Sequence, residues 1–299
     1  MNEDREGMRV TDRGTDRPDL RFVAMPMAGA WPELAPRRED PSAATLLTGG
    51  ERLRLPGALA VTTGQQPGLF GGPMYVVHKA LAARALARCL EQRWQRPVVP
   101  VFWLAGDDHD WAEATRTAWW TAGGEVVEWA LQPRASDAPQ RPMSAEPLPA
   151  DVAAARDRLA DDLPPGDIRD AALDWIDRHW RAGATIHSAF ASAITELFTP
   201  LGIATLDASA APLKRAQQPW IRAALEQSDA IDAALAALPD REEWVGAGQR
   251  QTLVFLDAAE GRDRLVRDGD GFRTRRSGEA FSAAELFRLL DDEQRSSLV

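Results

Sequence analysis

Two polar clusters, each following a short apolar run, contain residue types that can do chemistry. The later one is Gly106-Asp107-Asp108-His109-Asp110-Trp111. Three carboxylates around one imidazole can tune its pKa, orient it, or serve as base and counter-charge in a proton transfer. A carboxylate pair with a histidine could also hold a divalent ion. Adjacent side chains on irregular backbone diverge, however, and no metal is expected here. Asp108, His109 and Asp110 are the candidate catalytic residues. The competing reading is a solvated acidic loop in which Asp108 or Asp110 caps a following helix.

The earlier cluster is Gly64-Gln65-Gln66-Pro67-Gly68-Leu69-Phe70-Gly71-Gly72. Glycines let backbone approach a ligand, and free N–H groups at a helix start favour an anion. The spacing is neither G-x-G-x-x-G nor a Walker A loop, because no Gly-Lys-Ser/Thr opens the helix. Adjacent glutamines can donate to and accept from a polar substrate. Tyr75 and Lys79 follow four residues apart on one helical face, where Lys79 could pair with a substrate carboxylate or phosphate. Asp207 ends a later apolar run in the same way. Gly64, Gln65, Gln66, Gly68, Gly72, Tyr75, Lys79, Asp107 and Asp207 form the candidate substrate-binding set. The bland alternatives are a tight glycine turn, a surface lysine and a helix cap at Asp207.

These clusters need elements to hold them. Ala58–Thr63 reads as a buried strand. The glycine loop follows, and Pro73 opens a helix from Met74 to about Trp94. Val98–Ala105 reads as a second strand. Strand, loop, helix and strand make a right-handed βαβ unit with parallel strands, whose ligands bind at the carboxyl ends. On the helix, Val77, Leu81, Ala85 and Cys89, with Met74 and Leu86, can share an apolar face, so Cys89 is expected to be core. Thr115–Thr121 and Glu125–Leu131 predict a β-hairpin, and a Pro-rich loop and three helices near 151–162, 168–181 and 185–198 follow. Ile203–Leu206 is a return strand. Ala211–Leu238 is helical, with a bend expected at Pro219. Short antiparallel strands then lead to Ser282-Ala283-Ala284-Glu285, a capping box opening a last helix. The expected organisation is an irregular segment 1–56, the first half of an α/β, Rossmann-like parallel core at 57–114, a hairpin and helical insertion at 115–200, and a second part of the core at 201–299. Met1–Asp19 is read as a mobile tail.

Composition narrows the class. The chain has 299 residues, a formal charge of −10, 44% apolar residues, one cysteine and only two lysines, Lys79 and Lys214. One cysteine forms neither an internal disulfide nor a multi-thiolate metal site, which points to a reducing cytoplasm. The apolar run Val98–Ala105 is far too short to span a membrane, and the first ten residues lack the apolar centre of a signal peptide. A net acidic chain is a poor general nucleic-acid binder.

The two clusters and their flanks also resemble a known family. VTTGQQPGLFGGPMYVVHKALAARALA followed by PVVPVFWLAGDDHDWAEA resembles the bacillithiol biosynthesis cysteine-adding enzymes, the BshC family. That family carries Gly-Gln-Gln-x-Gly-Leu, here Gly64 to Leu69; Gly-Pro-x-Tyr-x-x-x-Lys, here Gly72 to Lys79; and Pro-Val-Phe-Trp-x-Ala-Gly-Glu-Asp-His-Asp, here Pro100 to Asp110. Asp107 replaces the usual glutamate. Fainter similarity continues through Leu206–Ser209 and Pro212–Lys214 to FSAAELFRLL. The resemblance implies a ligase that joins cysteine to glucosaminyl-malate, with ATP or ADP as candidate cofactor. It also implies a Rossmann-like core followed by a C-terminal coiled coil that pairs subunits. By that analogy Gln65 and Gln66 hold substrate, and Asp108, His109 or Asp110 binds it or transfers a proton. Residues 1–56 do not resemble the family's helical start. The chain also stops before the family's Gly-Pro-Gly-Glu segment and coiled coil, so a fragment or a shortened paralogue without the homodimer element is expected. The alternatives are a catalytically degenerate relative that only binds ligand, and a sugar-nucleotide transferase on a similar core.

Overall fold

The structure is a computed structural model that describes residues 41–237, 251–258 and 261–292. The expected mobile tail lies outside the described residues. The central sheet has four strands: β1 (Leu47–Thr48), β2 (Leu59–Gln65), β3 (Val98–Leu104) and β6 (Ala204–Asp207), in the order β1-β6-β3-β2. β2 and β3 run parallel, as do β3 and β6, while the short β1 lies antiparallel to β6. The two strands of the expected βαβ unit are thus neighbours, joined through α1 (Tyr75–Trp94).

β3 is apolar along its length because both of its faces are covered. Phe102 and Leu104 pack with Val76 and Ala80 of α1 and with Phe190, Ile194 and Phe198 of α5 (Ile186–Phe198). Val99 and Val101 face the other way, against Leu47 and Leu53. Sequence periodicity reads the stretch before residue 57 as a loose lead-in. From residue 41 it is instead two 3-10 turns and β1, and it covers one side of the sheet. Elements of two to six residues are too short to show a period.

The insertion contains the hairpin β4 (Arg116–Trp120) and β5 (Val126–Ala130), with helices α3 (Val152–Asp162) and α4 (Asp167–His179) and one face of α5. Its core joins Trp119, Leu131, Leu159, Leu173, Ile176 and Trp180. Ala189 and Ala193 of α5 belong to this core, whereas Phe190 and Ile194 belong to the sheet. One helix therefore serves two cores from two stripes, which the 3.6-residue period allows.

After β6 come α6 (Ala211–Glu226) and α7 (Ser228–Ala236). Pro219 lies inside α6, and Gln227 separates α6 from α7. The strands β7 (Gln251–Ala258), β8 (Gly261–Asp268), β9 (Gly271–Thr274) and β10 (Ala280–Phe281) form a second, antiparallel sheet. The last helix, α8 (Ala283–Asp291), opens on the expected capping box, with Ser282 and Glu285 each bonding the other's backbone N–H. This sheet packs on α6 and α8 through Ile221, Leu225, Leu256, Leu265, Phe272 and Leu286. No helix among the described residues is long and apolar enough to cross a membrane.

The buried face of α1 differs from the expected one. Val76, Ala80, Ala83, Ala87 and Leu90 are buried, while Met74, Leu81 and Cys89 are exposed. Alanines occur on both sides of this helix, so apolarity alone does not choose. The smaller stripe wins because short side chains let α1 lie close on β2 and β3. Cys89 is therefore a surface thiol. A chromogenic aromatic disulfide should react with one thiol of the native chain, at a rate within about tenfold of a free small thiol. Reaction only after denaturant is added would restore the buried reading.

Candidate functional site

The turn after β3 is built from backbone bonds on both sides. Met143 N–H donates to the Asp108 carbonyl at 2.7 Å, and Ser144 N–H to the Gly106 carbonyl at 2.9 Å. This ties the Pro-rich loop of residues 132–149 to the strand end. Between the two lies a cavity of about 490 Å³ lined by Gln66, Asp108, His109, Asp110, Trp111 and Arg134, together with the segment 135–140. It sits at the carboxyl ends of β2 and β3, where an open parallel sheet places ligands.

Each acidic residue of the turn has a different task. Asp108 accepts the Asp110 N–H at 2.8 Å, and Asp110 accepts the Glu113 N–H at 3.0 Å. Asp110 thereby caps α2 (Trp111–Ala114), as the competing reading held, while both residues still line the cavity. The His109 Nδ1 is buried and has no partner among the described residues. Arg134 closes one wall: it stacks on Trp111 at 5.0 Å, pairs with Glu146 at 3.0 Å and donates to the Arg141 carbonyl at 3.0 Å. Burial lowers its pKa, with Glu146 opposing and Arg141 reinforcing.

Asp107 does not line the cavity. It turns toward Lys214 of α6 and Arg262 of β8, each at 3.6 Å, and Arg262 also donates to its carbonyl at 2.8 Å. Lys214 is only 6% exposed. Burial lowers its pKa against the opposing pull of Asp107 and Asp257. Burial likewise raises that of Asp257, against Lys214 and Arg262. The second sheet is thus held to the strand end by a desolvated charge cluster in which Asp107 takes part. Asp207 is also outside the cavity lining. It accepts from His187 at 2.8 Å and from the N–H and hydroxyl of Ser209 at 2.8 and 2.6 Å.

Two N–H groups of the glycine loop are used within the loop. The N–H groups of Gly71 and Gly72 bond the carbonyls of Gly68 and Leu69 at 3.2 and 3.1 Å. Both glycines have positive φ, following Phe70 at φ 53°, which lets the chain reverse sharply into α1. A Cβ on Gly68 would lie 2.6 Å from the Gly72 Cα, and one on Gly64 would lie 2.7 Å from Trp103. These glycines serve close backbone packing. Leu69 enters the core of the insertion and Phe70 meets Trp180 edge-on at 5.7 Å, so the insertion fixes the loop.

Beside the cavity the structure brings together Gln65, Gln66, Tyr75 and Lys79 with a residue the sequence reading missed, Glu113. Gln65 donates to Gln66 at 2.7 Å and to Tyr75 and Glu113 at 3.0 Å, while Lys79 donates to Gln65 at 2.8 Å. Burial and the Glu113 carboxylate raise the Tyr75 pKa, so its hydroxyl stays protonated. Glu113 sits three residues after the Asp110 cap, an offset at which an acidic residue is ordinary helix-start chemistry; its function was not legible. Among the described residues, no group of histidine, cysteine and acidic side chains could hold a metal ion.

Two variants test the junctions. Asp107→Asn leaves Lys214 and Arg262 without their nearest carboxylate and should cost ~3 kcal/mol in urea unfolding; no loss would show the cluster to be neutral. For Asp207, burial acts to raise the pKa, but the His187 bond and charge and the two Ser209 bonds hold it at about 2, below the usual 3.8. Its stabilisation is complete above pH ~4 and is lost as pH falls through ~2. With the side chain 39% exposed, solvent reduces this contribution to about 1 kcal/mol. His187→Ala should therefore make the stability loss between pH 5 and 2 smaller by about that amount, and an unchanged loss would remove the linkage.

Comparison with known proteins places this geometry. Residues 41–296 match the family model of the bacillithiol biosynthesis BshC N-terminal Rossmann-like domain. Relatives that bear the name "Putative cysteine ligase BshC" include one from Salinibacter ruber, 32% identical over 81% of this chain and 45% of the relative. Another, from Symbiobacterium thermophilum, is 36% identical over 63% of this chain and 35% of the relative. A third, from Heliobacterium modesticaldum, is 30% identical over 80% of this chain and 45% of the relative. The chain thus spans less than half the length of these relatives. From the parallel sheet, the motif residues at its strand ends and the match across residues 41–296, the chain belongs to the BshC family and carries its N-terminal Rossmann-like domain.

Proposed function

We propose that the cavity at the ends of β2 and β3 is the substrate site of a cytoplasmic ligase that joins cysteine to glucosaminyl-malate by an amide bond. The observation that carries this reading is the polar cavity itself, whose wall brings Gln66, Asp108, His109 and Asp110 of the family's motifs together with Trp111 and Arg134. Amide formation needs a neutral amine. Its nitrogen attacks the acyl carbon, the leaving group departs, and the amine's proton must go to a base. In this reading His109 takes that proton and Asp108 stabilises the resulting imidazolium. Gln66 and Arg134 supply donors for substrate oxygens.

ATP or ADP is the candidate cofactor of this ligase. The Gly71 and Gly72 N–H groups are spent within their own loop, and the Lys79 ammonium bonds the Gln65 carbonyl.

The test is direct. The purified chain, given cysteine, glucosaminyl-malate and ATP, should form the thiol conjugate by mass spectrometry. His109→Ala should lower the rate about 100-fold with the fold intact by circular dichroism. A folded chain that binds glucosaminyl-malate without product would favour the binding-only relative. Full activity in His109→Ala would remove that residue as the base.

A further inference from the structure

The polar chain beside the cavity has a direction. Lys79 donates to the Gln65 Oε1 at 2.8 Å, so the Gln65 Nε2 points the opposite way. Three acceptors meet that nitrogen: Gln66 Oε1 at 2.7 Å, and Tyr75 Oη and Glu113 Oε1 at 3.0 Å each. Its two hydrogens cannot serve all three fully. Glu113 is the one full negative charge of the set, and charged acceptors form the stronger bonds. The Gln66 Nε2 in turn donates to the other Glu113 oxygen at 3.3 Å. The dipoles thus align from a cation at one end to an anion at the other.

That alignment settles which way the Gln66 amide lies. Turned over, its NH2 would face the NH2 of Gln65 and its oxygen would face the Glu113 carboxylate, two repulsions in place of two bonds. In the observed orientation one Nε2 hydrogen and one lone pair of Oε1 remain for the cavity that Gln66 lines. Glu113 is not itself among the lining residues. It is held by its place on α2, where its N–H is bonded to Asp110 at 3.0 Å.

We infer that Glu113 is a positioning residue of this site: acting through Gln66, it sets the donor and acceptor that the cavity presents to substrate. The inference rests on reading the cavity as the ligase's substrate site. It gives Lys79 a task distinct from anion binding, namely to polarise the far end of the same chain.

The test uses the full chain and three proteins: wild type, Glu113→Ala and Glu113→Gln. In the kinetic arm, Glu113→Ala should raise the KM for glucosaminyl-malate or cysteine about tenfold with kcat within about threefold. Glu113→Gln keeps an acceptor oxygen and should recover most of that loss. In the second arm, the Gln65 and Gln66 side-chain amides are followed by nitrogen-15 NMR, assigned through Gln65→Asn and Gln66→Asn. Their hydrogens should exchange slowly in wild type, faster in Glu113→Ala and at an intermediate rate in Glu113→Gln. An unmoved KM in an active Glu113→Ala overturns the proposal even where the amides loosen, because the contact is then only structural. Unchanged amide exchange in Glu113→Ala also overturns it. A wild-type chain that makes no product overturns the ligase reading, and the response of the Gln66 amide to added glucosaminyl-malate then decides Glu113. A response lost in Glu113→Ala supports the role; one that survives, or is absent from wild type, overturns it.

Discussion

The His187 ring lies on Gly106, and the strand-end architecture depends on that contact. A Cβ at Gly106 would sit 2.5 Å from three atoms of the ring, closer than side chains approach one another. Only glycine lets the backbone after β3 pass beneath α5 at this point. The passage then sends consecutive side chains to opposite sides: Asp107 toward α6 and β8, Asp108 and His109 toward the cavity. His187 is held in turn through Asp207 at the end of β6. Two strand ends, one helix start and the second sheet are thereby joined by a few polar contacts around one missing side chain.

The insertion reaches the site by another route. Leu69 and Phe70, in the middle of the glycine loop, are anchored in the core formed by the hairpin and helices. Gln65 and Gln66 immediately precede them. Because α5 shares that core through Ala189 and Ala193 and the sheet through Phe190 and Ile194, the loop cannot shift without disturbing packing on both sides. A pocket between such elements is preorganised, and little ordering entropy remains for binding to offset.

Much of this frame was legible in the residues. The long apolar run of β3, the Pro73 helix start, the hairpin glycines and the Ser282 capping box each carry a local signal that matches what forms. The errors have one physical source. Periodicity reports that a face is apolar, not which apolar face finds a partner, so α1 buries Ala80 and Ala83 while Cys89 faces solvent. At Pro219 the expected helix does run on, with α6 extending from Ala211 to Glu226. The residues near the cavity were legible as types, but not by direction. Nothing in Asp107-Asp108-His109-Asp110 states which carboxylate turns to a buried lysine far along the chain.

That division of labour bears on how an acidic turn can remain chemically useful. Were all three aspartates to face one cavity, three like charges would crowd it with little to offset their mutual repulsion. The fold disperses them instead. Asp107 is matched by Lys214 and Arg262, and Asp110 is occupied by the α2 N-terminus, where the partial positive charge of the helix start meets it. Asp108, which lines the cavity together with Asp110, is bonded only to the neighbouring Asp110 N–H among the described residues. Asp107, where the resembled motif carries glutamate, faces the junction with Lys214 and Arg262 and not the cavity.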